Sequence, residues 1–118
     1  MKYINYDDLE NYGACAEELE LFGKLFGTRA KVSRWNLRRA LRKGMSIGFL
    51  RELLPIDKRP LSDEVLQEWD AECDAIYDND NLSDGEKYTR DSELDDKYHS
   101  SLAWAVFWDL KRYQPRHD

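Results

Sequence analysis

Cysteine, proline, methionine and histidine are all scarce in this chain, at two, three, two and two residues of 118. Cys15 and Cys73 do not form a CxxC pair, and His99 and His117 stand at no ligand spacing to either, so a zinc site has no support. Each cysteine sits in a helical apolar pattern, where a small buried hydrophobe is the expectation, ahead of a disulfide or a reactive thiol. Long apolar runs are also missing. The longest mainly apolar stretch, Leu102 to Trp108, is far too short to cross a bilayer. The start, Met1-Lys2-Tyr3-Ile4-Asn5-Tyr6-Asp7-Asp8, has no apolar segment of signal-peptide length, and the expected compartment is the cytoplasm. A Gly-rich phosphate loop, a G-x-S-x-G elbow and an H-E-x-x-H helix are absent, so no catalytic residue, metal or cofactor is assigned and an enzyme is not expected.

Aromatic and charged residues are plentiful. Four Trp, seven Tyr and four Phe offer large buried areas, which argues against disorder. The net charge of −6 hides a segregation. Residues 1–23 balance to −5, residues 24–59 to +9 and residues 60–118 to −10. A chain sorted in this way can present a basic surface despite its acidic total.

Periodicity predicts an all-α chain, a compact bundle of about five helices in a single domain spanning residues 1–118. Asp7 to Phe26 carries apolar residues at steps of three and four, with a break near Gly13 and a C-cap at Gly27. Ala30-Lys31-Val32 reads as an extended connector. Ser33 caps a helix over 34–43 that ends at Gly44, and Ser46 caps another over 47–54 that Pro55 stops. Ser62 opens a fourth helix containing Val65, Leu66, Trp69, Cys73, Ile76 and Tyr77. The last helix starts at the capping box Ser83/Glu86 or at Ser92/Asp95 and runs to about Tyr113. No strand is expected.

Three constellations stand out. On helix 34–43, Leu37, Ala40 and Leu41 form the core stripe, while Trp35, Arg38, Arg39 and Arg42 share another side. Arginines beside an aromatic suit phosphate, bases or an acidic protein, and the same face could instead lie against the chain's own acidic helices. Residues 33–54 also fit part of a helix-turn-helix signature, which makes nucleic-acid binding the alternative function. However, the would-be recognition helix is mostly apolar. In the last helix, Trp104 and Trp108 fall outside the apolar arc, near Lys111 and Arg112. Both Trp could pack internally, or the Trp104/Trp108/Arg112 face could meet a partner or form a homodimer. Asp78 to Glu86 superficially resembles a calcium loop, but Leu82 and Lys87 occupy unsuitable positions, and a solvated acidic loop is the better account.

Ala14-Cys15, Leu19, Phe22, Phe26-Gly27, Asn36-Leu37, Ala40, Gly44 and Leu50 through Leu54 together resemble small helical accessory proteins of bacteriophages and mobile elements. The resemblance covers residues 9–54. It implies a non-enzymatic module that binds a host protein or complex and inhibits or redirects it, and it implies no catalytic residue.

Overall fold

The computed structural model describes residues 1–114. The chain opens with strand β1 (Tyr3–Asn5), helix α1 (Tyr6–Asn11), helix α2 (Ala16–Phe26) and strand β2 (Arg29–Lys31). Helix α3 (Arg34–Arg42) follows, then two 3-10 turns at Gly48–Leu53 and Ile56–Lys58, helix α4 (Pro60–Tyr77) and helix α5 (Asp84–Arg112). The fold is mainly α-helical, with one small two-stranded sheet.

The expected break near Gly13 is present and divides this segment into two helices. Gly13 sits at φ 82° between them, a left-handed backbone that a side chain would resist, so the chain turns there. The two strands correct the expectation that there would be none. β1 pairs antiparallel with β2 in the register Tyr3↔Lys31, Ile4↔Ala30 and Asn5↔Arg29. Backbone bonds from Tyr6 N–H to Thr28 O and from Val32 N–H to Lys2 O, both 2.8 Å, extend the pairing. Ile4, Ala30 and Val32 point inward, while Tyr3, Asn5, Arg29 and Lys31 remain exposed. This is the period of two that a half-buried ribbon requires.

The segment 47–54 also departs from expectation. It forms a 3-10 turn in place of an α-helix, and the Ser46 side chain does not cap it; the Ser46 N–H donates to the Glu18 carboxylate at 3.3 Å. Leu50 and Leu54 are buried, and Gly48 lies so close to α5 that a Cβ there would sit 2.9 Å from a Leu102 methyl. The helix-turn-helix arrangement is therefore not formed. Burial of its apolar residues against α5 shapes this segment into a tight turn.

α5 organises the rest. Its C-terminal half is the centre of the core, where Ala103, Val106, Phe107 and Leu110 are buried against both strands, α1, α2 and α3. Its N-terminal half pairs antiparallel with α4, so a two-helix arm extends from the packed end and the molecule measures 54 × 30 × 24 Å. Trp69 stacks on Tyr98 within the arm, ring centres 5.8 Å apart. Ser83 is the N-cap of α5, accepting from Glu86 N–H at 3.2 Å, which selects the earlier of the two expected starts.

α4 begins at Pro60, two residues before the expected cap. Ser62 is fully buried inside the first turn, and its side chain is not the N-cap. Instead, the buried Asp109 carboxylate of α5 accepts from Leu61 N–H (3.3 Å), Ser62 N–H (2.9 Å) and the Ser62 hydroxyl (2.9 Å). A carboxylate at the positive end of α4 satisfies its free amides and joins the arm to the core. Cys73 is half-buried, but Cys15 is exposed at the N-cap of α2, which corrects its expected burial; both are free thiols.

Candidate functional site

The two aromatic and basic constellations that look separate along the chain meet in space. Ser33 caps α3 by accepting from Asn36 N–H at 3.2 Å, and Asn36 donates to Lys31 O at 2.9 Å, so the helix is fixed directly after β2. Leu37 and Ala40 are buried beneath it. With that stripe fixed, the four arginines emerge on the solvent side.

Arg34 places its guanidinium carbon 5.0 Å from the centre of the Trp108 ring, and Arg38 lies 5.8 Å from that of Trp104. Both pairs repeat at i, i+4, so two helices of equal period form two matching rungs. Beneath the rungs, Phe107 meets Trp104 and Trp108 edge-on, with ring centres 5.8 and 5.2 Å away. Trp104 and Trp108 are partly buried: each packs its body on the core and turns a face to an arginine of α3. On the other shoulder of α3, Arg39 lies 5.8 Å from the Phe26 ring of α2. Trp35 and Arg42 form the crest between the shoulders, and the Trp35 side chain is 73% exposed.

No family model, curated protein or solved structure matches this chain.

The geometry therefore has to account for itself, and charge is its main feature. Among the described residues, Arg34, Arg38, Arg39 and Arg42 form no ion pair. Other cations of the basic segment are used internally. Arg51 bonds to Asp63 and to the Ser62 hydroxyl, while Arg59 donates to Leu54 O and lies 3.6 Å from Glu52. Lys24 pairs with Glu20 one turn away. The idea that the basic segment lies against the chain's own acidic helices thus describes Arg51, not α3.

Six of the seven candidate residues come together: Trp35, Arg38, Arg39 and Arg42 on α3, with Trp104 and Trp108 beneath. Arg112 stands one turn beyond Trp108 in the last turn of α5, exposed and without an ion pair among the described residues. Arg34 belongs to the array and was not among the candidates. Its signal was available as the i−4 neighbour of Arg38. Phe26 was read only as the end of a helix, because its place under Arg39 depends on how α2 meets α3.

Chemically, a guanidinium held over an indole keeps its N–H edge free while its flat face is occupied. That is a preset donor fork for a carboxylate or phosphate, with the side-chain entropy already partly spent. The array offers no nucleophile or proton-transfer pair. Among the described residues, no group of three or more His, Cys, Asp or Glu is placed to hold a metal ion. No helix among them is long and apolar enough to cross a membrane.

Proposed function

We propose that this protein is a non-enzymatic binding module that docks an acidic protein surface on the face built by α3 and the Trp104–Trp108 stretch of α5. One observation carries the reading: among the described residues, four arginines on nine residues of helix have no carboxylate partner, and two of them lie over tryptophan. Arginine and tryptophan are the residue types enriched at interface hot spots, and the exposed Trp35 supplies the rigid anchor. The resemblance of residues 9–54 to phage accessory proteins extends the proposal to the role: inhibiting or redirecting a host protein complex, in the cytoplasm.

An acidic protein fits this face better than a nucleic acid does. The helix-turn-helix geometry is missing, and the six-residue turn that would have entered a groove is packed on α5. The rest of the chain is strongly acidic, so an extended polyanion would meet repulsion beyond the face, whereas a local cluster of carboxylates would not.

Titration with poly-L-glutamate and with a short DNA duplex, each at two salt concentrations, tests the proposal. Quenching or shift of tryptophan emission by poly-L-glutamate, abolished in Arg38→Ala/Arg42→Ala, is the expected result. Tight duplex binding with a steep salt slope would replace the proposal by the nucleic-acid alternative. Binding of neither probe would refute a role for this face in capturing anions.

A further inference from the structure

α3 and α4 are opposites. α3 carries four arginines and no acid, whereas α4 carries six acids and neither Lys nor Arg. Two of the α4 acids have partners within the chain, Asp63 with Arg51 and Glu72 with Lys97 at 3.1 Å. Glu64, Glu68, Asp70 and Asp74 are exposed, and no ion pair holds them among the described residues. Glu64/Glu68 and Asp70/Asp74 repeat at i, i+4, which is also the spacing of Arg34/Arg38 and Arg38/Arg42.

The fold keeps these two faces apart. α3 lies beside residues 104–108 of α5, while α4 packs Trp69 and Cys73 along the N-terminal half of the same helix and turns Glu64, Glu68, Asp70 and Asp74 outward. Among the described residues no side-chain hydrogen bond or ion pair joins α3 to α4. A second molecule is under no such constraint. Two helices of opposite charge can lie side by side, the arginine row of α3 facing the outer side of α4 between its two acidic rows.

We infer that a second copy of this chain is an occupant of the basic face, with α3 of one molecule laid along the outer stripe of α4 in another. The inference rests on the reading of α3 as an acid-docking face and names one acidic surface that it accepts. The contact is electrostatic and solvent-exposed, so it is weak, salt-sensitive and readily displaced by a more acidic partner. Self-association would thereby cover the face until that partner arrives.

Sedimentation equilibrium of the full chain at about 20 mM and about 500 mM salt tests it, since the screening length shrinks severalfold over that range. The expected result is a weight-average mass well above 14.0 kDa at low salt that falls to the monomer value at high salt. Two charge-reversed proteins, Glu64→Lys/Glu68→Lys/Asp74→Lys and Arg38→Glu/Arg42→Glu, should each be monomeric alone and associate again when mixed. A wild-type monomer at low salt, or association that neither salt nor either variant alters, overturns the inference. Circular dichroism checks that the variants fold, and the wild-type salt series decides the matter if they do not. Poly-L-glutamate binding to a neutral α4 variant, Glu64→Gln/Glu68→Gln/Asp74→Asn, separates the two claims. Retained binding with a monomeric wild type removes only self-association, while lost binding removes the acid-docking face as well.

Discussion

The Arg34 guanidinium lies 5.0 Å from the centre of the Trp108 ring, joining the first turn of α3 to the last turns of α5 across more than half the chain. With Arg38 over Trp104, it makes the basic face a packed element of the core's edge, so its residues divide into those that hold the face and those that only use it.

That division can be measured. Arg34→Ala and Arg38→Ala should each lower unfolding free energy by about 0.5–1 kcal/mol, the usual scale of an exposed cation–π contact. Trp35→Ala should change it by less than about 0.5 kcal/mol, because the side chain is 73% exposed. Binding of poly-L-glutamate should fall in all three. Urea titration beside the binding assay checks the pattern, and a Trp35 variant that unfolds early would contradict it.

Asp109 should be the most sensitive polar position. Asp109→Ala strips the partners from two α4 amides and the Ser62 hydroxyl in a site that excludes water, at a cost of about 3 kcal/mol. Asp109→Asn keeps the shape and one acceptor, and should cost roughly half as much. Since α4 starts on this carboxylate, amide exchange at Leu61 and Ser62 should accelerate before exchange in α5 does. Uniform exchange across both helices would count against a local clamp.

Alkaline titration should find two late tyrosines, Tyr77, raised by its bond to Asp91 and by burial, and Tyr98. The Tyr98 phenol is pushed up to about 12, first by its hydrogen bond to Glu72, then by burial and the Glu72 charge. Its folded value lies above the ordinary 10.0, so the stabilisation is complete below pH 10 and is lost as pH rises from there through about 12. Glu72 shifts the opposite way: the Tyr98 and Lys97 bonds hold its carboxyl below 4.5, so its contribution is present above that value and fades on acidification. Absorbance at the phenolate band should show the Tyr98 step at about pH 12 in the wild type and move it to lower pH in Glu72→Gln.

The two thiols should react at different rates. Cys15 is exposed, whereas Cys73 is half-buried 3.8 Å from the Asp91 carboxylate, and burial followed by that charge pushes its thiol above the ordinary value. A thiol reagent at pH 8 should label Cys15 first, with a rate gap of tenfold or more. Cys15→Ser should leave only the slow phase. Equal rates in the native protein would show that the arm opens faster than the reagent reacts.

Helices α2, α3, α4 and α5 can be read from the sequence because their signals lie within four residues: apolar periodicity, the Ser33 and Ser83 caps, and glycines where the chain must turn. The charge segregation and the sharing of one side of α3 by Trp35, Arg38, Arg39 and Arg42 are equally local. The strands are not legible. β1 and β2 are three residues each, and their pairing spans about two dozen residues with no alternation long enough to see. Segment 47–54 has helical spacing, yet close packing against Leu102 makes it a 3-10 turn.

By itself, then, the sequence determined the helical class, the opposed charges of residues 24–59 and 60–118, and which residues form the exposed side of α3. The tertiary structure alone decided that Arg34 and Arg38 lie on Trp108 and Trp104, that Asp109 opens α4, and that among the described residues the cations of α3 stay unpaired while Arg51 does not. The physical reason is range. A helix and its caps are written in contacts between near neighbours, while a stacking rung, a borrowed cap and a missing ion pair depend on where distant parts of the chain are packed.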